Sequence, residues 1–226
     1  PDYLAMDAYA HMPGIDCLMN QWDTGPHAQF GNARPPKEIR SAANQLGRRR
    51  TMSETYGAGG WDLRFVDQKR IADWEFALGV NFINQHLSYV TIMGARKRDH
   101  PQSFSYHEPW WHAYKMMADY LGRLSVVMSK GEQRNRILVL EPTTSAWMYY
   151  SPMVKSKQLE TLGDQFTHFI NWLEAEQIEY DLGSEDTLRI HGRAENASLV
   201  VGERSYEVVV IPPGLENFNR PTVELI

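Results

Sequence analysis

Glu54 is the residue whose type and position point most directly to chemistry. It follows a strand-like run, residues 50–53, and precedes the glycine-rich residues 57–60. Parallel β/α folds place catalytic groups where a strand gives way to a loop, so a carboxylate here fits a base or nucleophile. Tyr56 and Trp61 flank it with aromatic surface, which suits glycoside hydrolysis, a reaction that needs this carboxylate and a second proton-donating one. The alternative is a structural glutamate held by an arginine or a backbone amide.

A second polar group lies in residues 81–89. If Val80 and Phe82 belong to a strand, then Asn84, His86 and Tyr89 fall near its carboxyl end. Amide, imidazole and phenol groups donate and accept hydrogen bonds, which suits the hydroxyl groups of a sugar. For His86 the simpler alternative is a structural histidine whose hydrogen bonds are satisfied within the protein.

Residues 105–112 form a third group, rich in histidine and tryptophan. His107 and His112 are five residues apart, not the four that put both on one face of a zinc-protease helix, and Pro109 interrupts any helix there. We therefore exclude a zinc protease. Two interpretations stay open: an aromatic lid in which His107 and Trp110 contact substrate, or a surface loop anchored by tryptophans.

Other motifs give weaker signals. Asp16 and Asp23 flank the end of a predicted first strand, and Asp23 is the better candidate for a metal ligand. Cys17 lies in an apolar run and is most simply a buried hydrophobic side chain. Residues 57–62 lack the last glycine of the dinucleotide-binding fingerprint. No G-x-S-x-G motif occurs, which argues against the common α/β type of serine hydrolase.

The composition excludes several classes of protein. The chain has 226 residues, of which 42% are hydrophobic and 23% charged, as in a soluble globular protein of one or two domains. No apolar run approaches the roughly 20 residues of a membrane span. A net charge of -5 argues against a nucleic-acid partner. One cysteine excludes an internal disulfide framework and a multi-cysteine zinc site.

Short apolar runs alternate with helical periodicity, which predicts an α/β fold with two units and a boundary near residues 131–135. A continuous apolar run at residues 136–142 indicates a strand buried on both faces. The other expected strands cover residues 14–19, 50–53, 80–85, 178–181 and 208–213, with a hairpin at residues 199–206. The expected helices cover residues 37–46, 65–78, 111–130 and 158–176, with a capped helical turn at residues 184–188.

Three motifs together resemble a known family: SETYGAGGWD at residues 53–62, NQHLSY at 84–89 and SFSYHEPWW at 103–111. They resemble the bacterial glycoside hydrolases of family 106, the α-L-rhamnosidases, and more generally clan A enzymes such as the family 42 β-galactosidases. The resemblance implies a (β/α)8 TIM barrel followed by a flavodoxin-like domain similar to class I glutamine amidotransferases. Residues 1–131 would be the last β/α units of the barrel. Residues 136–226 would be a truncated flavodoxin-like α/β domain.

The resemblance also implies roles for individual residues. Glu54 matches the catalytic carboxylate at the end of the seventh barrel strand, and Asn84 and His86 match the eighth. The proton donor of these enzymes lies on the fourth strand, upstream of Pro1. Because the chain starts without methionine, we expect a fragment that carries one of two catalytic carboxylates and is inactive on its own. Calcium would be the metal, with Asp23 as its candidate ligand.

The resemblance further implies a role in carbohydrate metabolism and polysaccharide degradation, with an oligo- or polysaccharide substrate and a periplasmic or secreted location. A homo-oligomer is a separate expectation. No cysteine follows a strand in the second unit, so amidotransferase chemistry is not expected there. The alternative function is a non-catalytic carbohydrate-binding or assembly module of a larger protein. A phosphate-binding flavodoxin-like domain is a weaker third option, since no Gly/Ser/Thr-rich loop follows Val139.

Overall fold

A computed structural model describes residues 2–18, 31–98 and 102–226, and it shows a mixed α/β protein with small parallel sheets. The helices are α1 (Tyr3–Asp7), α2 (Arg34–Gln45), α3 (Phe65–Ala77), α4 (Lys115–Lys130), α5 (Thr143–Tyr149), α6 (Lys157–Ala175), α7 (Glu185–His191) and α8 (Arg220–Leu225). The strands are β1 (Gly14–Leu18), β2 (Met52–Gly57), β3 (Phe82–Gln85), β4 (Ile137–Leu140), β5 (Asp181–Gly183), β6 (Gly192–Glu195), β7 (Ser198–Val201), β8 (Arg204–Tyr206) and β9 (Val208–Val210). Short 3-10 turns cover Gly94–Arg98 and Trp111–Ala113.

The chain divides into two compact units. Unit 1 contains Pro1–Pro13, Ala33–Arg49 and Glu132–Ile226, and unit 2 contains Gly14–Asn32 and Arg50–Gly131. The change from unit 2 to unit 1 at Glu132 falls at the expected boundary, but α1 and α2 cluster with the C-terminal part of the chain. The assignment of residues 1–131 and 136–226 to two separate domains stays a prediction.

Unit 2 has a three-stranded parallel sheet in the order β1-β2-β3. Its core joins Cys17 and Tyr56 of the sheet to apolar side chains of α3 and α4, such as Ile71, Phe76 and Met117. α3 ends where Gly79 takes a positive φ of 106°, which glycine adopts without steric cost. The sheet and the two helices thus share one hydrophobic core, which fixes the position of β2.

Unit 1 has a parallel sheet in the order β5-β4-β9 and an antiparallel sheet in the order β6-β7-β8. α2 packs on the edge strand β5 with polar side chains: Ser41 Oγ accepts from the N–H of Leu182 at 2.7 Å, and Gln45 Nε2 donates to its carbonyl at 2.8 Å. These bonds satisfy an edge that would otherwise be open for pairing with another strand. Leu138, Leu140 and Val201 lie in the core that joins the two sheets.

The structure corrects several expected elements. β2 was expected to end at Ser53, but it continues to Gly57, because the hydroxyls of Ser53 and Thr55 are bonded to a buried carboxylate and Tyr56 is buried in the core. β5 begins at Asp181, where the expected strand ended. The helix expected from residue 111 begins as a 3-10 turn. Three elements were not expected from periodicity: α1, α5 and β6. All three are short, which leaves little pattern to detect. No helix among the described residues is long and apolar enough to cross a bilayer.

Candidate functional site

The candidate site is centred on a carboxylate–imidazole pair in unit 2. Glu54 lies within β2, and His86 comes directly after β3. Glu54 Oε1 and His86 Nδ1 are 2.5 Å apart, and the two side chains are 37% and 18% exposed. The backbone N–H of His86 also donates to the carbonyl of Thr55 at 2.8 Å, which continues the β2–β3 ladder. The imidazole therefore fixes the orientation of a carboxylate that solvent, and hence a ligand, can reach.

Three polar side chains form a row across this sheet. The register of the parallel strands pairs Asp16 with Glu54, and Glu54 with Asn84. Residues paired in this way lie on the same face, with neighbouring strands about 4.8 Å apart. Asp16 and Asn84 are exposed and Glu54 is half-buried. The row thus presents two carboxylates and an amide on one accessible face.

The opposite face of β2 is held by a buried carboxylate of α3. Glu75 accepts hydrogen bonds from Ser53 Oγ and Thr55 Oγ1, each at 2.8 Å, and it has no exposed surface. Side chains alternate along a strand, so Glu54, which lies between Ser53 and Thr55, points away from α3. Burial raises the pKa of Glu75 to about 7, although the hydrogen bonds from Ser53 and Thr55 act in the opposite direction. Burial and the nearby Glu75 also raise the pKa of the Cys17 thiol, which fits its expected role as a buried side chain.

Tyr56 was expected to contact a sugar, but its side chain lies in the core. Its side chain has no exposed surface, and its hydroxyl donates to the carbonyl of Gln68 at 2.9 Å. Burial raises the pKa of Tyr56 well above its usual value. The backbone of Tyr56 has φ 75°, and its carbonyl accepts from Gln102 Nε2 at 2.6 Å. Tyr56 therefore supports the end of β2, and it has no surface with which to contact a ligand.

The remaining expected residues lie on the loops that follow the strands of unit 2. Trp61 is 36% exposed, and its Nε1 donates to the carbonyl of Lys97 at 2.9 Å. His107 is half-buried, with Nδ1 2.9 Å from Ser105 Oγ. Trp110 contacts the Phe65 ring edge-on at 5.3 Å between centroids, so it anchors its loop to the core. Tyr89 is half-buried, and its N–H donates to Ser103 Oγ at 3.1 Å.

The structure therefore brings Glu54, Asn84 and His86 together, while Trp61, Tyr89, His107 and Trp110 lie on the loops. Asp16 belongs to the row although the sequence favoured Asp23 over it. The alternation of Ile15, Asp16 and Cys17 indicates that Asp16 lies on the face of the strand opposite its two apolar neighbours. The partner of Asp16 on the next strand, however, depends on the register. Glu75 was missed because a single acidic residue in a helix looks like a solvated one.

A metal site is not formed by the residues that the structure describes, because none of their His, Cys, Asp and Glu side chains group in threes or more around a common point. Asp23, the candidate calcium ligand, lies outside the described residues. The described carboxylates and imidazoles therefore do not fit a calcium ion.

Comparison with known proteins gives a likeness of fold. No protein-family model matches the chain, and no curated protein matches it. A solved structure, a rhamnosidase from Novosphingobium sp. PP1Y, is similar with a TM-score of 0.68 at 17% identity. The similarity covers 98% of this chain and 20% of the rhamnosidase, so the chain spans about a fifth of that protein's length. The chain thus has a fold like that of one part of a glycosidase.

Proposed function

We propose that the chain is part of a glycoside hydrolase that acts on O-glycosyl bonds of a rhamnoside- or galactoside-like substrate, with Glu54 as base or nucleophile. The observation that carries the proposal is the position of Glu54: half-exposed, on the sheet face away from α3, with His86 Nδ1 at 2.5 Å. The likeness of fold to a rhamnosidase supports the same class of protein.

The chemistry follows from the carboxylate and its neighbours. A glycosidase needs one carboxylate that activates water or attacks the anomeric carbon, and an acid that protonates the leaving oxygen. Glu54 supplies the first, and His86 holds the carboxylate in one orientation. Asp16 and Asn84 offer oxygen and amide groups to the hydroxyls of a sugar bound along the row. The proton donor belongs to another strand of the complete site, as the family resemblance implies.

The proposal extends to the fold. Unit 2 would supply the last strands of a (β/α)8 barrel, whose interior face is the one that carries Asp16, Glu54 and Asn84. The apolar Phe82, 41% exposed on this same face, fits a surface that faces a barrel interior. Residues 136–226 would form a flavodoxin-like domain similar to class I glutamine amidotransferases, which the parallel order β5-β4-β9 supports.

Saccharide binding to the chain tests the function. Titration with methyl α-L-rhamnoside and methyl β-D-galactoside, followed by NMR shifts of the His86 and Asn84 side chains, should show binding at the row. Glu54→Gln should weaken it, whereas Asp119→Asn, an exposed carboxylate on α4, should not. We also expect that the chain alone does not hydrolyse an aryl rhamnoside or an aryl galactoside.

The outcomes separate the alternatives. Unchanged binding in Glu54→Gln would favour a non-catalytic carbohydrate-binding module. Absence of any NMR shift at His86 and Asn84 with either sugar would contradict both the glycosidase site and the carbohydrate-binding module. Measurable turnover by the chain alone would show that its own carboxylates, Asp16 among them, complete the catalytic pair.

A further inference from the structure

Unit 1 has a pocket of its own at the carboxyl ends of β4 and β5. Its volume is about 420 Å³, and its walls come from α1, α5, α7 and α8, all within unit 1. Thr143 and Thr144 begin the helix that follows β4, and Glu185 begins the helix that follows β5. Open parallel sheets bind their ligands outside the carboxyl ends of the strands, and the volume is in the range of small-molecule sites.

The pocket walls are held together by side chains of unit 1. Glu185, which is buried, accepts hydrogen bonds from Thr144 Oγ1 and, at 2.6 Å, from the backbone N–H of Asn219. These two bonds connect α5, α7 and the start of α8. Ser184 Oγ donates to Asp2 Oδ2 at 2.6 Å, which adds α1 to the same group. Because the walls are already bonded to one another, binding of a ligand would not carry the entropy cost of ordering them.

The charges of the pocket disfavour an anionic ligand. Asp2, Glu185 and Asp186 contribute three carboxylates, against two guanidinium groups. Both arginines are already paired: Arg189 with Asp186 at 2.6 Å, and Arg220 with Glu224 at 2.7 Å. A phosphate group would therefore meet a surplus of negative charge.

The remaining lining groups suit a neutral polyhydroxyl compound. Trp147 is 55% exposed and offers an aromatic surface at the wall of the pocket. The pocket is also lined by the hydroxyl of Thr143 and by the amide of Asn219, whose Nδ2 donates to Thr144 Oγ1 at 3.3 Å and whose Oδ1 is an acceptor. The carboxylate of Asp186 adds acceptor capacity. We propose that this pocket binds a neutral saccharide of one or two rings against Trp147, as a second sugar site independent of Glu54.

The test is a titration of the full chain with methyl α-L-rhamnoside, methyl β-D-galactoside and lactose, observed by the NMR signals of the Trp147 indole and the Asn219 amide. Trp147→Ala should raise the Kd by about fivefold or more, since an aromatic contact contributes on this scale. Trp147→Phe should recover part of the affinity. The matched control is Trp172→Ala, a tryptophan of unit 1 that is 52% exposed and lies outside the pocket, and it should bind as the parent does.

Each other outcome would overturn the inference. One is an equal effect of Trp147→Ala and Trp172→Ala. Another is a larger response of the Trp147 and Asn219 signals to inorganic phosphate than to any of the three sugars. A third is the absence of a response to all of them. Glu54→Gln should leave the signals of this pocket unchanged; if it abolishes them, the binding belongs to unit 2. Failure at the Glu54 site would leave binding at Trp147 intact, so the two proposals are separable.

Discussion

Glu54 Oε1 lies 2.5 Å from His86 Nδ1, and this contact joins the middle of β2 to the residue that follows β3. The two residues are 32 positions apart in the chain, and the parallel register, which pairs Glu54 with Asn84, brings His86 within reach of the carboxylate. A carboxylate on a flexible loop would sample many orientations. Here the strand fixes its backbone and the imidazole fixes its oxygen, which is the arrangement that a preorganised site needs.

Removal of the imidazole should weaken sugar binding at the row. In His86→Ala the carboxylate of Glu54 loses its partner and regains rotamer freedom, so we expect the Kd for the methyl glycosides to rise about tenfold, the usual scale of one charge-assisted hydrogen bond. Calorimetric titration measures the change. His86→Gln, which keeps a donor, should recover part of it, and His112→Ala, an exposed histidine, serves as control. Parent-like affinity in His86→Ala would contradict a role in orienting Glu54.

Glu75 should make unit 2 less stable as the pH rises. Its pKa is about 7 in the folded protein against 4.5 for the unfolded group, so the folded state keeps a proton that the unfolded state loses. This contribution favours folding below pH 4.5, and it declines as the pH rises from 4.5 through about 7, by about 3 kcal/mol in total. Hydrogen exchange of the β2 and α3 amides at several pH values reports the stability of this unit.

The matched variant for this prediction is Glu75→Gln, which keeps the shape and one acceptor oxygen but cannot ionise. The decline with pH should be smaller in Glu75→Gln than in the parent, because every other titrating group is the same in both proteins. Identical slopes in the two proteins would show that Glu75 does not carry the effect.

Arg34 should be needed for the stability of unit 1. Its Nε lies 2.8 Å from Glu38 Oε1 and 3.3 Å from Glu141 Oε1, and Glu141 is buried at the end of β4. Burial, and next the neighbouring Glu38, raise the pKa of Glu141 well above its usual value, and the charge of Arg34 opposes this rise by favouring the ionised form. Arg34→Met leaves these carboxylates without their counter-charge, so we expect a loss of about 3 kcal/mol in the free energy of unfolding. Urea denaturation measures it.

The double variant Arg34→Met/Glu141→Gln tests the cause of that loss. If an uncompensated charge is responsible, removal of the Glu141 charge should restore part of the stability. A double variant that is as unstable as the sum of the two single variants would instead indicate lost packing of the arginine.

The hydrogen bonds between side chains of α2 and the backbone of β5 should contribute measurably to the free energy of unfolding. Ser41→Ala leaves the buried N–H of Leu182 without its acceptor, and an unsatisfied buried group costs about 1–3 kcal/mol. Ser41→Thr, which keeps the hydroxyl, should be much closer to the parent. Thr161→Ala, on an exposed position of α6, is the control. Chemical denaturation that ranks Ser41→Ala with Thr161→Ala would contradict the assigned role.

Local pattern was sufficient for the longer elements. The helices expected at residues 65–78 and 158–176 appear as Phe65–Ala77 and Lys157–Ala175. The second has an apolar face and a serine N-cap, and the first has a few apolar side chains at helical spacing and ends before Gly79. The expected α/β class agrees with the structure. For α1 and α5 the sequence offered no comparable signal. They are five and seven residues long, and such short helices depend on tertiary packing.

Local sequence pattern placed Asn84 and His86 near the carboxyl end of a strand, since hydrophobic alternation and glycine punctuation are local properties. It placed Glu54 just after a strand, whereas Glu54 lies inside β2. Three features depend on packing between distant segments: Asp16 lies beside Glu54, Tyr56 is buried, and Glu75 bonds to the face of β2 opposite Glu54. Strand register, burial and hydrogen bonding between a strand and a distant helix depend on contacts between segments far apart in the chain. The sequence pattern indicates on which side of a strand a side chain lies, but the residues that it contacts there are determined by packing.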